Sequence, residues 1–159
     1  MLDITPKNLY NRNMSGFYTT DFPDNPPSFF NFTEDDSPED TTLTVQGTKL
    51  RILNYNEEVE IVFQGTNLLD VSMDHPMHLH GYSFYVIGSG YGVFDNETDP
   101  KSYNFVDPPK LNTVTLPKNG WVALRFKASN PGMFILRLFS TFIVQQCSIS
   151  SSHMDGGSY

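Results

Sequence analysis

The sequence predicts an all-β domain, a Greek-key sandwich or barrel, and three observations carry that prediction. Short runs alternate apolar and polar residues with the period of a strand. The composition, 14% aromatic with 11 Gly and 11 Pro, suits a domain rich in strands and loops. No stretch shows the 3.6-residue apolar period of an amphipathic helix, and regularly spaced strands without helices imply a sandwich or barrel. At 159 residues the chain is one domain's worth, long enough for a sizeable core.

Residues 1–40 form an extended lead-in. YTTDFPDNPPSFFNFT is dense in Pro and Asp, and Phe22, Phe29, Phe30 and Phe32 are expected to anchor it to a surface. Regular patterning begins at residue 41. Thr42–Val45, Leu50–Leu53 and Val59–Phe63 read as short strands, separated by Gly47 and by a turn over Asn54–Glu57. In the third of these, Val59, Ile61 and Phe63 alternate with Glu60 and Val62, as in a strand with one face buried. The segment DHPMHLHG follows, then the apolar GYSFYVIGSG, so the HLH triplet is expected to open a strand. GSGYGVFDNETDP reads as a loop. Asn112–Leu116 and Trp121–Phe126 supply two more strands across the PKNG turn.

The histidines carry the chemistry. Three of the four, His75, His78 and His80, fall within Asp74–Gly81, and imidazole is the commonest protein metal ligand. On a strand, residues two apart share a face with Cβ atoms roughly 6–7 Å apart. His78 and His80 therefore project side by side while Leu79 turns into the core. His75 has odd spacing, and Pro76 interrupts regular ladder pairing, so His75 points towards a second site. A single histidine in such a place is commonly a loop that caps a strand; HxxHxH is not. Of the neighbouring groups, Met73 and Met77 read as packing before they read as sulfur donors. Trp121 reads as core, and Asp74 either orients an imidazole or caps a turn.

HPMHLHG, with FYVIGSGYGVFD and DPKSYNFVDPPKLNTVTLPKNGWVALRFKASNPG, resembles the third cupredoxin domain of plant laccases, which are multicopper oxidases. The resemblance runs from Phe17 to Gly132. It implies a cupredoxin-like fold over 41–132 and copper as cofactor. His75 would bind the type 1 copper, His78 the type 2 copper and His80 one of the type 3 pair. It also implies oxidation of phenols, with O2 reduced to water, in a protein secreted to the apoplast and completed by upstream cupredoxin domains.

From Met133 the family pattern stops. Where its HCHxxxH motif would fall stand Arg137, Leu138 and Phe139, none of which ligates copper. Cys147, His153 and Met154 have the wrong register and spacing for a blue site, which needs two imidazoles, a thiolate and a weak axial ligand. A chance grouping in the tail, residues 133–159, explains them better. Arg137 fits only at an exposed position, and CSISSSHMDGGSY is expected to be disordered. The clean break suggests a change of reading at the level of the gene. Gly132–Phe134 can be encoded through GTATGT, a donor-like element, and Ile143–Gln145 through an acceptor-like CAG, as in a retained intron. The isolated chain is therefore expected to be inactive. Two alternatives stand beside this reading. One is a non-enzymatic secreted module that binds copper or a partner. The other is a small blue electron carrier that uses His75, Cys147 and His153.

The remaining features bound the function. A net charge of −8 with no basic cluster argues against nucleic acid. The acidity concentrates in Thr33–Asp40, a solvated loop. One cysteine permits no internal disulfide. Sequons at Asn13, Asn31 and Asn96 lean towards secretion and glycosylation. No apolar run is long enough to span a membrane, and no signal peptide opens the sequence, so a fragment of a longer secreted protein is expected.

Overall fold

The computed structural model describes residues 18–21, 24, 31, 33, 48–49, 51–67, 73–131, 136–138 and 146–151. Among them the chain is built from strands: β1 (Tyr18–Thr19), β2 (Thr48–Lys49), β3 (Glu58–Gln64), β4 (His75–Leu79), β5 (Phe84–Tyr91), β6 (Lys110–Leu111), β7 (Thr113–Leu116), β8 (Gly120–Lys127), β9 (Leu136–Leu138) and β10 (Gln146–Ser151). The one helical turn among these residues is a 3₁₀ turn at Asp99–Ser102. β1 and β2 form a small parallel pair. The rest make two sheets, in the orders β10-β3-β8-β5-β6 and β7-β4-β9. From β3 to β10 the chain changes sheet at every connection but one, β5 to β6, so consecutive strands face each other across a shared core.

That core follows from side-chain alternation. Val59, Ile61 and Phe63 of β3 meet Val122, Leu124 and Phe126 of β8 on the inner face of the larger sheet, together with Phe84 of β5. Met77 and Leu79 of β4 and Leu116 of β7 face them from the smaller sheet. A second cluster lies on the outer face of the larger sheet, where Trp121, Val62, Ile87 and Ala123 are covered by Tyr103 and Phe94 from the loop after β5. Gln64 ends β3 beneath this loop. Its amide N–H groups are donated to the carbonyls of Gly65, Gly92 and Gly120, and its Oε1 accepts from the Phe94 N–H at 2.8 Å.

The strand expected at Val59–Phe63 is present with one more residue at each end, and the Asn54–Glu57 turn closes with a Glu57 N–H to Asn54 carbonyl bond. Several expectations are corrected. Arg51–Leu53 is irregular, with Ile52 exposed, and the neighbouring pairing is made by Thr48–Lys49 instead. Thr42–Val45, Leu50 and the lead-in phenylalanines lie outside the described residues. The HLH triplet does not open the next strand. It closes β4, and Gly81, at φ +81°, turns the chain across to β5 in the other sheet. A positive φ of that size is available to glycine at no steric cost. GSGY stays in β5, because Gly88 and Gly90 leave room for the Tyr103 and Trp121 rings to lie against the strand. The 117–120 turn joins β7 to β8 across two sheets, so it is a corner and not a hairpin.

The tail contributes a strand to each sheet. β9 pairs with β4, and β10 pairs with β3 from Gln146↔Gln64 to Ser151↔Val59. The expected disorder of CSISSSHMDGGSY therefore fails for Cys147–Ser151; the residues after Ser151 lie outside the described residues. A strand at a sheet edge needs only backbone donors and acceptors, which serine provides as well as valine does.

Candidate metal site

β4 runs between β7 and β9, and its alternation sorts the histidines. His75 is buried at 5% exposure and shares the core-facing side with Met77 and Leu79. Pro76, His78 and His80 take the opposite side, with His78 half-buried and His80 exposed. The rings of His78 and His80 lie edge to face with centroids 6.2 Å apart. Pro76 is accommodated inside the ladder, contrary to the expected interruption. β7 pairs with His75–His78 and β9 only with Met77–Leu79, so at Pro76 the strand has one neighbour and the missing N–H costs little. His75 points away from the pair because it is an odd number of residues from both.

Each imidazole has a distinct environment. Burial pushes His75 below the ordinary histidine range, and the adjacent Asp74 carboxylate partly opposes that shift. A neutral ring is the form that ligates metal. His78 Nδ1 lies 2.7 Å from the Asn112 backbone carbonyl and 3.0 Å from Thr113 Oγ1. A carbonyl oxygen can only accept, so Nδ1 carries the proton and Nε2 presents its lone pair outwards. Asp74 accepts the Lys118 backbone N–H at 2.7 Å and thereby secures the 117–120 corner beside His75. Met77 packs in the core at 1% exposure, Met73 is half exposed, and Trp121 is core.

The fit to copper is partial. Among the described residues no three His, Cys, Asp or Glu side chains gather closely enough to hold a metal ion. Two imidazoles on one face suit a site that other groups complete, and one buried imidazole on the other face suits a second. The register sets Arg137 directly across from His78 and Leu138 across from Met77. Cys147 stands opposite Phe63 in the larger sheet, whereas His75 belongs to the smaller one; His153 and Met154 lie outside the described residues. Of the sequons, Asn13 lies outside the described residues, and Asn31 and Asn96 are exposed. Asn112 and Thr113 were not legible as site residues from sequence. Only the pairing of β7 with β4 brings them to His78.

The family model for multicopper oxidases matches residues 21–157, most of the chain. The chain belongs to the multicopper oxidase family. Laccase-14 of Arabidopsis thaliana is 45% identical over 155 residues, which cover 91% of this chain and 26% of that protein. Laccase-11 of the same plant is 50% identical over 125 residues (78% and 22%), and Laccase-2 of Oryza sativa subsp. japonica is 52% identical over 122 (76% and 21%). The chain thus spans about a quarter of the length of these multicopper oxidase relatives. The cofactor of the family is copper, and the two-sheet architecture is the cupredoxin sandwich expected of a family member.

Proposed function

We propose that this chain supplies the third cupredoxin domain of a laccase-type oxidase, and that His75, His78 and His80 are its copper ligands. His75 would serve the type 1 copper, His78 the type 2 copper and His80 one of the type 3 pair. The observation that carries the reading is the division of histidines on β4. One buried imidazole faces the core side, and two neighbouring imidazoles face the other side 6.2 Å apart. One strand can then serve two metal centres. Bound copper supplies one-electron oxidation of a phenol and reduction of O2. The chain's own residues hold a neutral imidazole in a dry setting at His75 and aim Nε2 of His78 outwards. Upstream cupredoxin domains are the partners that complete both centres. The setting of such an enzyme is the apoplast, with Asn31 and Asn96 open to glycosylation and Asn13 a third acceptor. No helix among the described residues is long and apolar enough to cross a membrane.

The chain by itself lacks the Cys–His bridge of a working enzyme, since Arg137 and Leu138 occupy the register beside the histidine pair. It is expected to bind copper weakly, through His78 and His80. Calorimetric titration of copper into the wild type and a His78→Ala/His80→Ala variant tests this. Equal affinities in the two proteins would overturn the assignment.

A further inference from the structure

We propose that Thr113, held by Asn112, is a positioning residue for His78 that, together with the Asn112 carbonyl, sets which ring nitrogen is offered to a metal; this rests on the copper reading above. Thr113 is the register partner of His78 in the β4–β7 ladder, so the contact is built into the strand pairing. The hydroxyl has one proton and two lone pairs. The proton is donated to Asn112 Oδ1 at 3.2 Å. What Thr113 turns to His78 is therefore a lone pair, 3.0 Å from Nδ1. The Asn112 carbonyl presents a second acceptor to the same nitrogen at 2.7 Å. Asn112 thus acts twice, through its backbone as an acceptor and through its side chain by keeping the threonine proton away from His78.

Two acceptors on Nδ1 force the proton there, although a free imidazole side chain favours Nε2–H. They also fix the ring plane, so Nε2 is both unprotonated and directed away from β7. His80, just past the end of β4 and exposed, is set beside the His78 ring, whose orientation these bonds control. Partners of this kind orient a ligating histidine, and their loss typically weakens metal binding by roughly 10- to 100-fold.

The decisive measurement is made first on the metal-free chain, by 15N NMR of the histidine rings at a pH where they are neutral. The wild type is expected to show His78 protonated on Nδ1. Thr113→Val keeps the shape and the strand preference but removes the acceptor, and is expected to raise the Nε2–H fraction of His78. Thr113→Ser is expected to restore the wild-type pattern. Calorimetry with copper(II) should then show Thr113→Val weaker by about tenfold, the low end because the Asn112 carbonyl remains, and Thr113→Ser equal to wild type. A wild-type His78 protonated on Nε2, an unchanged tautomer in Thr113→Val, or a tautomer shift without loss of affinity would each overturn the proposal. Failure of the copper reading shows separately, as equal copper binding by the His78→Ala/His80→Ala variant, whatever the NMR spectra report.

Discussion

Replacing Gln64 with leucine removes no apolar volume, yet it should be among the most damaging single changes in the larger sheet. Gln64 is 6% exposed, and its two amide protons are shared among three carbonyls while its Oε1 accepts the Phe94 N–H. The Gly120 carbonyl keeps a partner after the substitution, because the Gly65 N–H also reaches it at 2.7 Å. The Phe94 N–H and the carbonyls of Gly65 and Gly92 lose the bonds that Gln64 makes to them. A buried polar group left unpaired costs about 1–3 kcal/mol. Three such groups, two of them only partly buried, less a modest gain from burying leucine, give a loss of about 3 kcal/mol. Set against a total stability of roughly 5–15 kcal/mol for a domain, that loss is readily measured. Urea unfolding followed by fluorescence suits the test, because Trp121 is the chain's one tryptophan and packs on Phe94 with ring centroids 5.0 Å apart. The folded-state emission should also shift as Phe94 is released. A control sharpens the argument. Gln64→Glu keeps the acceptor but sets a carboxylate against three carbonyls, and should be at least as destabilising. A loss below about 1 kcal/mol in Gln64→Leu, with unchanged emission, would refute the reasoning.

Tyr103 is held neutral by burial, and secondarily by the Glu60 carboxylate that its hydroxyl contacts at 3.3 Å, so its pKa is raised. A raised pKa means that the stabilisation is fully present below the unfolded tyrosine value, about pH 10, and is lost as pH rises beyond it; stability curves of Tyr103→Phe should lack that alkaline decline. Gly120→Ala should cost about 1–3 kcal/mol, because its Cβ would lie 2.3 Å from the Gly90 carbonyl oxygen in a neighbouring strand, and thermal melts will show it. The copper-loaded chain should show no intense blue absorption and no oxidation of a simple diphenol. Copper-dependent turnover abolished by His75→Ala would contradict the expected inactivity of the isolated chain.

Much of the site was legible because it is local. Alternation along one strand is a property of the backbone alone, so the pairing of His78 with His80, the opposite aim of His75 and the burial of Leu79 follow from spacing. The same period exposed the β3 face that helps form the core. The GSGY segment misled because glycines usually mark loops, whereas here they make room for aromatic rings. The Ser-rich tail misled because composition reports side chains, and β10 forms through backbone pairing with β3.

By itself, then, the sequence determined the strand class, the family and which histidines share a face, all consequences of short-range geometry and recognisable motifs. Only the tertiary structure decided that the HLH triplet ends its strand, that Asn112 and Thr113 lock His78, and that Gln64 ties three segments together. Each of those outcomes depends on which strands become neighbours. Hydrogen bonds between residues far apart in the chain leave no period in the sequence; they exist once two sheets have packed on one core and set the register between them.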